Sequence, residues 1–254
     1  MMKISFSILL TLCAFLLCNG QTKPKDSIVI NHNTIGEMAI EPYKVIWSQD
    51  VIEPNGNKRK GINTITDNVS VDTIQGKLCL IRALRWEDTN NNVYVKSDVL
   101  DYKTLKPLAV DIRWNPSYIQ HSDIKKHTVI STTLRNTYAT NKISVNELDT
   151  IGLTWSSDGF PLVVTKNIPI GKFYMLTLNG LPHTPKLGIK TFDYLKNETL
   201  QINSISYKTR VISDISGGNT KATYWVSDQK PYIIRVRFEQ PDGQITTWKL
   251  DHIE

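Results

Sequence analysis

Cysteine is scarce in this chain: 254 residues carry three, Cys13, Cys18 and Cys79. The first two fall in an N-terminal leader-like stretch. A chain cut after that stretch keeps only Cys79, can form no intramolecular disulfide, and has to rely on a hydrophobic core. Thirteen Gly and eleven Pro exclude a collagen-like or low-complexity chain. A mean hydropathy of −0.25 excludes a polytopic membrane protein. Recognisable catalytic motifs are absent as well: there is no Gly-x-Ser-x-Gly elbow, no phosphate-cradling glycine loop and no His-Glu-x-x-His. Acidic residues are plentiful, but a sequence fixes no separation between them, so a hydrolase has no mark here. Five histidines, His32, His121, His127, His183 and His252, are scattered, and only His121 and His127 lie near each other, at a spacing that suits no zinc site. Neither a metal nor a cofactor is expected.

What is present begins with an address. Lys3 supplies a positive n-region, and Ile4 to Leu17 is an uncharged, mostly apolar run of fourteen residues, the length of a signal-peptide core and too short to span a bilayer. Cys18, Asn19 and Gly20 provide small residues for a signal-peptidase cut, which makes residues 1–20 a signal peptide and Gln21 the mature N-terminus. Lipidation at Cys18 is disfavoured because Leu17 is bulky where the lipoprotein peptidase requires a small residue. The expected partition is one β domain over residues 21–254 with a short polar tether, Thr22-Lys23-Pro24-Lys25. The formal charge of +6 becomes +5 without Lys3 and is spread along the chain. Its densest cluster, Lys58-Arg59-Lys60, follows the turn-like Pro54-Asn55-Gly56-Asn57 and reads as a solvated hairpin tip, with an anion or anionic-lipid contact as the sharper reading. No basic stripe is interleaved with aromatics, so nucleic acid is not an expected partner.

The body alternates with period two. Leu108, Val110, Ile112 and Trp114 share one face and Asp111 and Arg113 the other; Tyr232, Ile234, Val236 and Phe238 oppose Arg235, Arg237 and Glu239. Noisier alternation runs through residues 43–51, 78–86, 174–178 and 205–211. Asn55-Gly56, Asn90-Asn91-Asn92, Asn179-Gly180, Gly217-Gly218 and Asp242-Gly243 separate these runs with turn chemistry. The spacing predicts an antiparallel meander of about ten strands: an all-β chain forming a curled half-barrel or open barrel-like sheet with little helix. Residues 146–155 read as a short helix or a lid, and residues 118–126 as another.

An antiparallel sheet with one apolar face twists, curls and must hide that face. Such a sheet either folds on itself, making Trp86, Trp114 and Phe238 ordinary core, or leaves an apolar trough lined by them for a lipid-like ligand. Cys79, in the apolar run Lys77-Leu78-Cys79-Leu80-Ile81, reads as a buried structural thiol. Asp88-Thr89-Asn90-Asn91-Asn92 starts like a calcium loop, but Val93 replaces the turn glycine and Val99 the closing glutamate, leaving a polar hairpin. Asn68-Val69-Ser70 and Asn197-Glu198-Thr199 match the N-linked sequon. The triplets Asp26-Ser27-Ile28, Asp72-Thr73-Ile74 and Asp149-Thr150-Ile151 resemble a permissive periplasmic O-glycosylation pattern.

Three segments in order, Leu100-Asp101-Tyr102-Lys103-Thr104-Leu105-Lys106-Pro107-Leu108, Asp149-Thr150-Ile151-Gly152-Leu153, and Ala222-Thr223-Tyr224-Trp225-Val226-Ser227-Asp228 leading into Ile234-Arg235-Val236, resemble a family of uncharacterised exported bacterial β-proteins. That family is similar in fold to periplasmic lipoprotein carriers and outer-membrane lipoprotein receptors. The resemblance implies a curled half-barrel in the envelope of a Gram-negative bacterium, with an apolar concave face and no assigned catalytic residues; carrier activity does not transfer with it. The resulting expectation is a non-catalytic, periplasmic or envelope-associated binding protein for an apolar or amphiphilic ligand, with Trp86, Trp114 and Phe238 as the ligand-binding residues. The alternatives are a structural or protein-interaction component with an envelope protein partner, and a hydrolase.

Overall fold

The computed structural model describes residues 28–35, 40–61, 64–88, 90, 92–114, 118–135, 142–156, 158–179 and 185–254. The leader-like stretch with Cys13 and Cys18, the tether and His183 lie outside the described residues. Seventeen strands form among them: β1 (Val29–Ile30), β2 (Tyr43–Ile52), β3 (Lys58–Lys60), β4 (Thr64–Ile74), β5 (Lys77–Glu87), β6 (Val93–Asp101), β7 (Pro107–Trp114), β8 (Tyr118–Lys125), β9 (Thr128–Arg135), β10 (Lys142–Glu147), β11 (Leu153–Thr154), β12 (Gly171–Asn179), β13 (Lys186–Ile202), β14 (Ile205–Asp214), β15 (Lys221–Ser227), β16 (Ile233–Glu239) and β17 (Ile245–Ile253). One 3-10 helix, Phe160–Thr165, follows β11.

These strands make a single large open sheet that does not close into a barrel. From β12 to β17 each strand pairs antiparallel with the next. β17 then pairs with β2, joining the C-terminal end of the chain to its N-terminal part, and the meander continues from β4 to β10, with β3 a short addition beside β2. β1 and β11 both lie parallel to β12. Register shifts at Val99/Leu100, Tyr194/Lys196, Trp225/Val226 and Leu250/His252 bend the strands that carry them.

The all-β, curled, open architecture agrees with the sequence reading, and so does the burial of Cys79. Gly56, Gly217, Gly218 and Gly243 take the left-handed conformations that their turns require. Three expectations are corrected. The strands outnumber the ten read from alternation. Residues 118–126 form β8 and its turn, and residues 146–155 run from the end of β10 into β11, so neither segment is helical. At residues 118–126 the pattern failed because the concave face is polar there: Gln120, Ser122, Ser131 and Thr133 are buried, while Ile119 and Leu134 are exposed.

The concave side is not an empty trough, because the segment from Ile151 through the 3-10 helix fills it. Leu153, Phe160, Leu162 and Val163 join the main core with Trp47, Leu80, Leu84, Phe173, Phe192 and Tyr224. Ile151 and Leu178 pack with Val110, Ile112, Ile124 and Val129, so the β12 end of the sheet meets β7–β9 through side chains. Trp155 meets Phe192 and Tyr224 with ring centroids 5.4 and 6.0 Å away.

Candidate functional site

Two places in this fold hold concentrated chemistry. The first is a buried ionic cluster around Arg82. Strand alternation turns Asp67, Arg82, Lys96 and Asp98 inward, where apolar residues would be usual. Arg82 donates from Nε to Asp67 Oδ1 at 2.9 Å and from Nη2 to Asp67 Oδ2 at 3.0 Å, a bidentate fork. Its other edge reaches Asp158 and Ser156, with Nη1 3.1 Å from Ser156 Oγ. The guanidinium also lies 4.3 Å from the Phe160 ring centroid. Burial works against the Arg82 charge, but Asp67, with Tyr43 and Asp98, more than offsets it and raises the guanidinium pKa. Burial, reinforced by Asp67, pushes the Tyr43 phenol well up, so Tyr43 stays neutral and donates to Asp67 Oδ2 at 3.1 Å. Lys96 pairs with Asp98 at 3.0 Å and donates to the Trp155 carbonyl at 3.3 Å. The void beside this cluster is about 10 Å³, room for a single water at most and for no substrate. Its chemistry is that of an anchor: it ties the inner segment, through Trp155, Ser156 and Asp158, to β4, β5 and β6.

The second place is one rim of the curled sheet. Five aromatic side chains form an unbroken row there: Trp114 and Tyr94 at 5.4 Å between ring centroids, Tyr94 and Trp86 at 4.8 Å, Trp86 and Trp248 at 6.1 Å, Trp248 and Phe238 at 5.2 Å. Cross-strand register explains the first part, since Trp114 pairs opposite Tyr94 and Tyr94 opposite Trp86. Trp86 and Trp248 meet although β4 and β2 separate their strands in the sheet. A cavity of about 480 Å³ opens against Trp86, Tyr94, Trp114 and Trp248, with Gln49, Asp88, Asn92 and Val93. A second, of about 540 Å³, adjoins it at Gln49 and Trp248 and is lined by Val51, Arg59, Gly61, Phe238, Gln240, Gln244 and Thr246. Both volumes fall in the usual range for small-molecule sites.

Of the three residues read from the sequence, Trp86 and Trp114 line the first cavity and Phe238 the second. Trp114 is 48% exposed, whereas Trp86 and Phe238 are half-buried against the core. Sequence reasoning missed Tyr94, Trp248 and Gln49. Trp248 lies in the alternating Ile245-Thr246-Thr247-Trp248-Lys249-Leu250 and could have been found by the same pattern. Gln49 gives no such signal, because it is a polar residue on an apolar strand face.

The rim is polar in only a few places, and at its Asp88 corner the polar groups satisfy one another. Asp88 Oδ1 accepts the Asn90 and Asn92 backbone N–H groups at 2.8 and 2.9 Å, and Asn92 Nδ2 donates to Asp88 Oδ2 at 2.8 Å. These Asn92 contacts hold the Asp88 carboxyl below its ordinary range. The corner is the polar hairpin expected from the sequence. Among the described residues no group of three or more His, Cys, Asp or Glu is placed to hold a metal ion, and no helix is long and apolar enough to cross a membrane.

No family model matches the chain, and no curated protein matches it. Among solved structures, it is similar to the crystal structure of a β-barrel-like protein of a domain of unknown function, DUF1849, from Brucella abortus. The TM-score is 0.52 at 6% identity, over 85% of this chain and 98% of that one. The likeness is one of fold alone, across almost unrelated sequences.

Proposed function

We propose that the chain is a non-catalytic binding protein whose aromatic rim takes an apolar or amphiphilic ligand, and that it works in the cell envelope after export. The observation that carries the reading is the row Trp114, Tyr94, Trp86, Trp248 and Phe238 standing over an open cavity, because large aromatic side chains are ordinarily drawn into a core. The inner segment supports it. With the middle of the concave face already filled, the rim is where apolar surface is left open to a ligand. The leader-like residues 1–20 support export, and an intact mass beginning at Gln21 would test that part. For binding, native mass spectrometry after gentle purification should show a retained small molecule, or the purified protein should take up a hydrophobic dye. W86A and W114A together should reduce dye uptake severalfold. A ligand-free protein that also ignores the dye removes the proposal.

A second reading, a protein-interaction component, is favoured by the outer face of the last strands. Ile143 and Val145 on β10 are 68% and 61% exposed, and Ile119 and Leu134 stand on the same outer side of β8 and β9. The occupant this face suits is a β-strand of an envelope protein added beside β10, with apolar side chains over Ile143 and Val145. Cross-linking from β10 that traps one protein, with the rim empty of small molecules, would favour it over ligand binding.

A further inference from the structure

Resting on the rim reading, we infer that the ligand is a single-chain amphiphile with a carboxylate head, its chain on the Trp86, Tyr94 and Trp114 side and its head against Gln49 and Arg59. The two adjoining cavities differ in kind. The first is walled by aromatic rings, and its polar corner is closed on itself through Asp88 and Asn92. The second is edged by hydrogen-bonding side chains, and Arg59 is the charged group that lines it.

Gln49 is the decisive residue. It is 8% exposed, lines both cavities, and its amide makes no side-chain hydrogen bond to any described residue. An amide that opens into a cavity can give a hydrogen bond to, or take one from, a ligand's polar atom. Its position is fixed by Gly61, where an added Cβ would stand 2.5 Å from Gln49 Oε1. Arg59 is the charge. Register pairs it with Val51, a concave-face residue, so Arg59 turns toward the second cavity while Lys58 and Lys60 turn away. Its Nε is taken by Glu53 Oε1 at 2.6 Å and Nη1 touches the Lys60 carbonyl only at 3.5 Å, which leaves Nη2 to donate. Gln244 Nε2 holds the other Glu53 oxygen at 3.0 Å, and these two partners keep Glu53 ionised below its ordinary range. Thr220 donates to Gln240 Oε1 at 2.7 Å, so the Gln240 amino group is also free to give a hydrogen bond. A guanidinium edge and two amide amino groups are donors, and a carboxylate, which only accepts, is complementary to them. Trp248 stands between this set and the aromatic wall, where the chain of such a molecule would begin.

The test titrates the full chain with decanoate, decan-1-ol and decyltrimethylammonium, each below its micellar range, following tryptophan fluorescence and calorimetry. Decanoate should bind at one site, about tenfold or more tighter than the alcohol, with the ammonium weakest. R59Q, an exposed position, should bring decanoate affinity down about tenfold toward that of the alcohol; Q49L should also lower it while retaining an unchanged far-ultraviolet spectrum. Equal affinity for decanoate and the alcohol, or decanoate binding indifferent to R59Q, overturns the head-group assignment and leaves the apolar rim standing. Binding of the ammonium as tight as that of decanoate also overturns it. Failure of all three probes to bind removes the rim reading itself.

Discussion

Arg82 of β5 and Asp158, just ahead of the 3-10 helix, are joined through the interior of the curled sheet, with Arg82 Nη1 also 3.4 Å from Asp158 Oδ1. Both side chains are almost completely buried, and Asp67 holds the other edge of the same guanidinium. A buried ionic group of this kind adds little compared with a well-packed apolar replacement, but removing one member strands the others. R82L should therefore destabilise the fold by about 3–5 kcal/mol, read as a lower urea midpoint. Replacing Arg82, Asp67 and Asp158 together with apolar residues of similar volume should recover much of that loss. A small effect of R82L alone would mean that the inner segment is held by its apolar contacts and not by this anchor.

Gly159 starts the inner helix with φ of 76°, and an added Cβ would stand 2.6 Å from Tyr224 Cε1. Gly56, at φ of 84° in the turn before β3, has nothing within 4 Å of the same position. G159A adds a clash to backbone strain and should cost about 2–4 kcal/mol. G56A adds strain alone and should cost about 1 kcal/mol. Paired thermal melts check the contrast, and equal losses would show that Tyr224 moves aside freely.

Alternation disclosed the strands whose inner faces are apolar. On β7, Val110 and Ile112 are buried while Arg113 is exposed, and β16 and β2 follow the same rule. It failed at β8 and β9, where Gln120, Ser122, Ser131 and Thr133 occupy the inner face; hydrophobic period carries no information when the buried side is polar. The inner segment was equally hidden. Ser156, Asp158 and Gly159 carry no apolar pattern, and only the distant partners Arg82 and Tyr224 show them to be interior. For the rim, single aromatic residues were visible but their meeting was not, since Trp86 and Trp248 come together through curvature across two intervening strands. Gln49 has meaning only once both cavities are seen.

Asp101 organises the turn between β6 and β7. Its Oδ1 accepts the Thr104 backbone N–H at 2.9 Å and the Thr104 hydroxyl at 2.8 Å, and Lys77 Nζ lies 2.9 Å from Oδ2. Burial alone would raise its pKa, but Lys77 and Thr104 overcome this and bring it to about 2. A depressed carboxylate stabilises the fold above its unfolded value of about 4 and loses that contribution as pH falls through the folded value. D101N should remove about 1 kcal/mol at neutral pH, after discounting for solvent screening around this partly exposed turn. The difference between variant and parent should shrink between about pH 4 and pH 2; a difference constant across that window would assign the loss to turn geometry rather than to charge.

His121 and His32 are set in opposite directions. Hydrogen bonding of His121 Nδ1 to Asp111 at 3.0 Å, helped by Asp123 at 3.3 Å from Nε2, raises its pKa. For His32, burial is the main cause of a lowered pKa, with Lys106 and His127 adding to it against a hydrogen bond that the ring gives to the Ile151 backbone. The signs follow from linkage. The His121 contribution to stability is fully present below the unfolded value of about 6.5 and fades as pH rises through the higher folded value. His32 is neutral in the fold, so protonating it favours the unfolded chain, and its cost appears as pH falls below about 6.5. Histidine ring resonances followed by NMR should show His121 titrating above that reference and His32 below it. D111N should lower the His121 midpoint while leaving that of His32 in place. Coincident midpoints for the two rings would contradict both environments. A D111N variant that moved neither would locate the His121 shift in Asp123 alone, a carboxylate 3.3 Å away that is itself nearly half exposed.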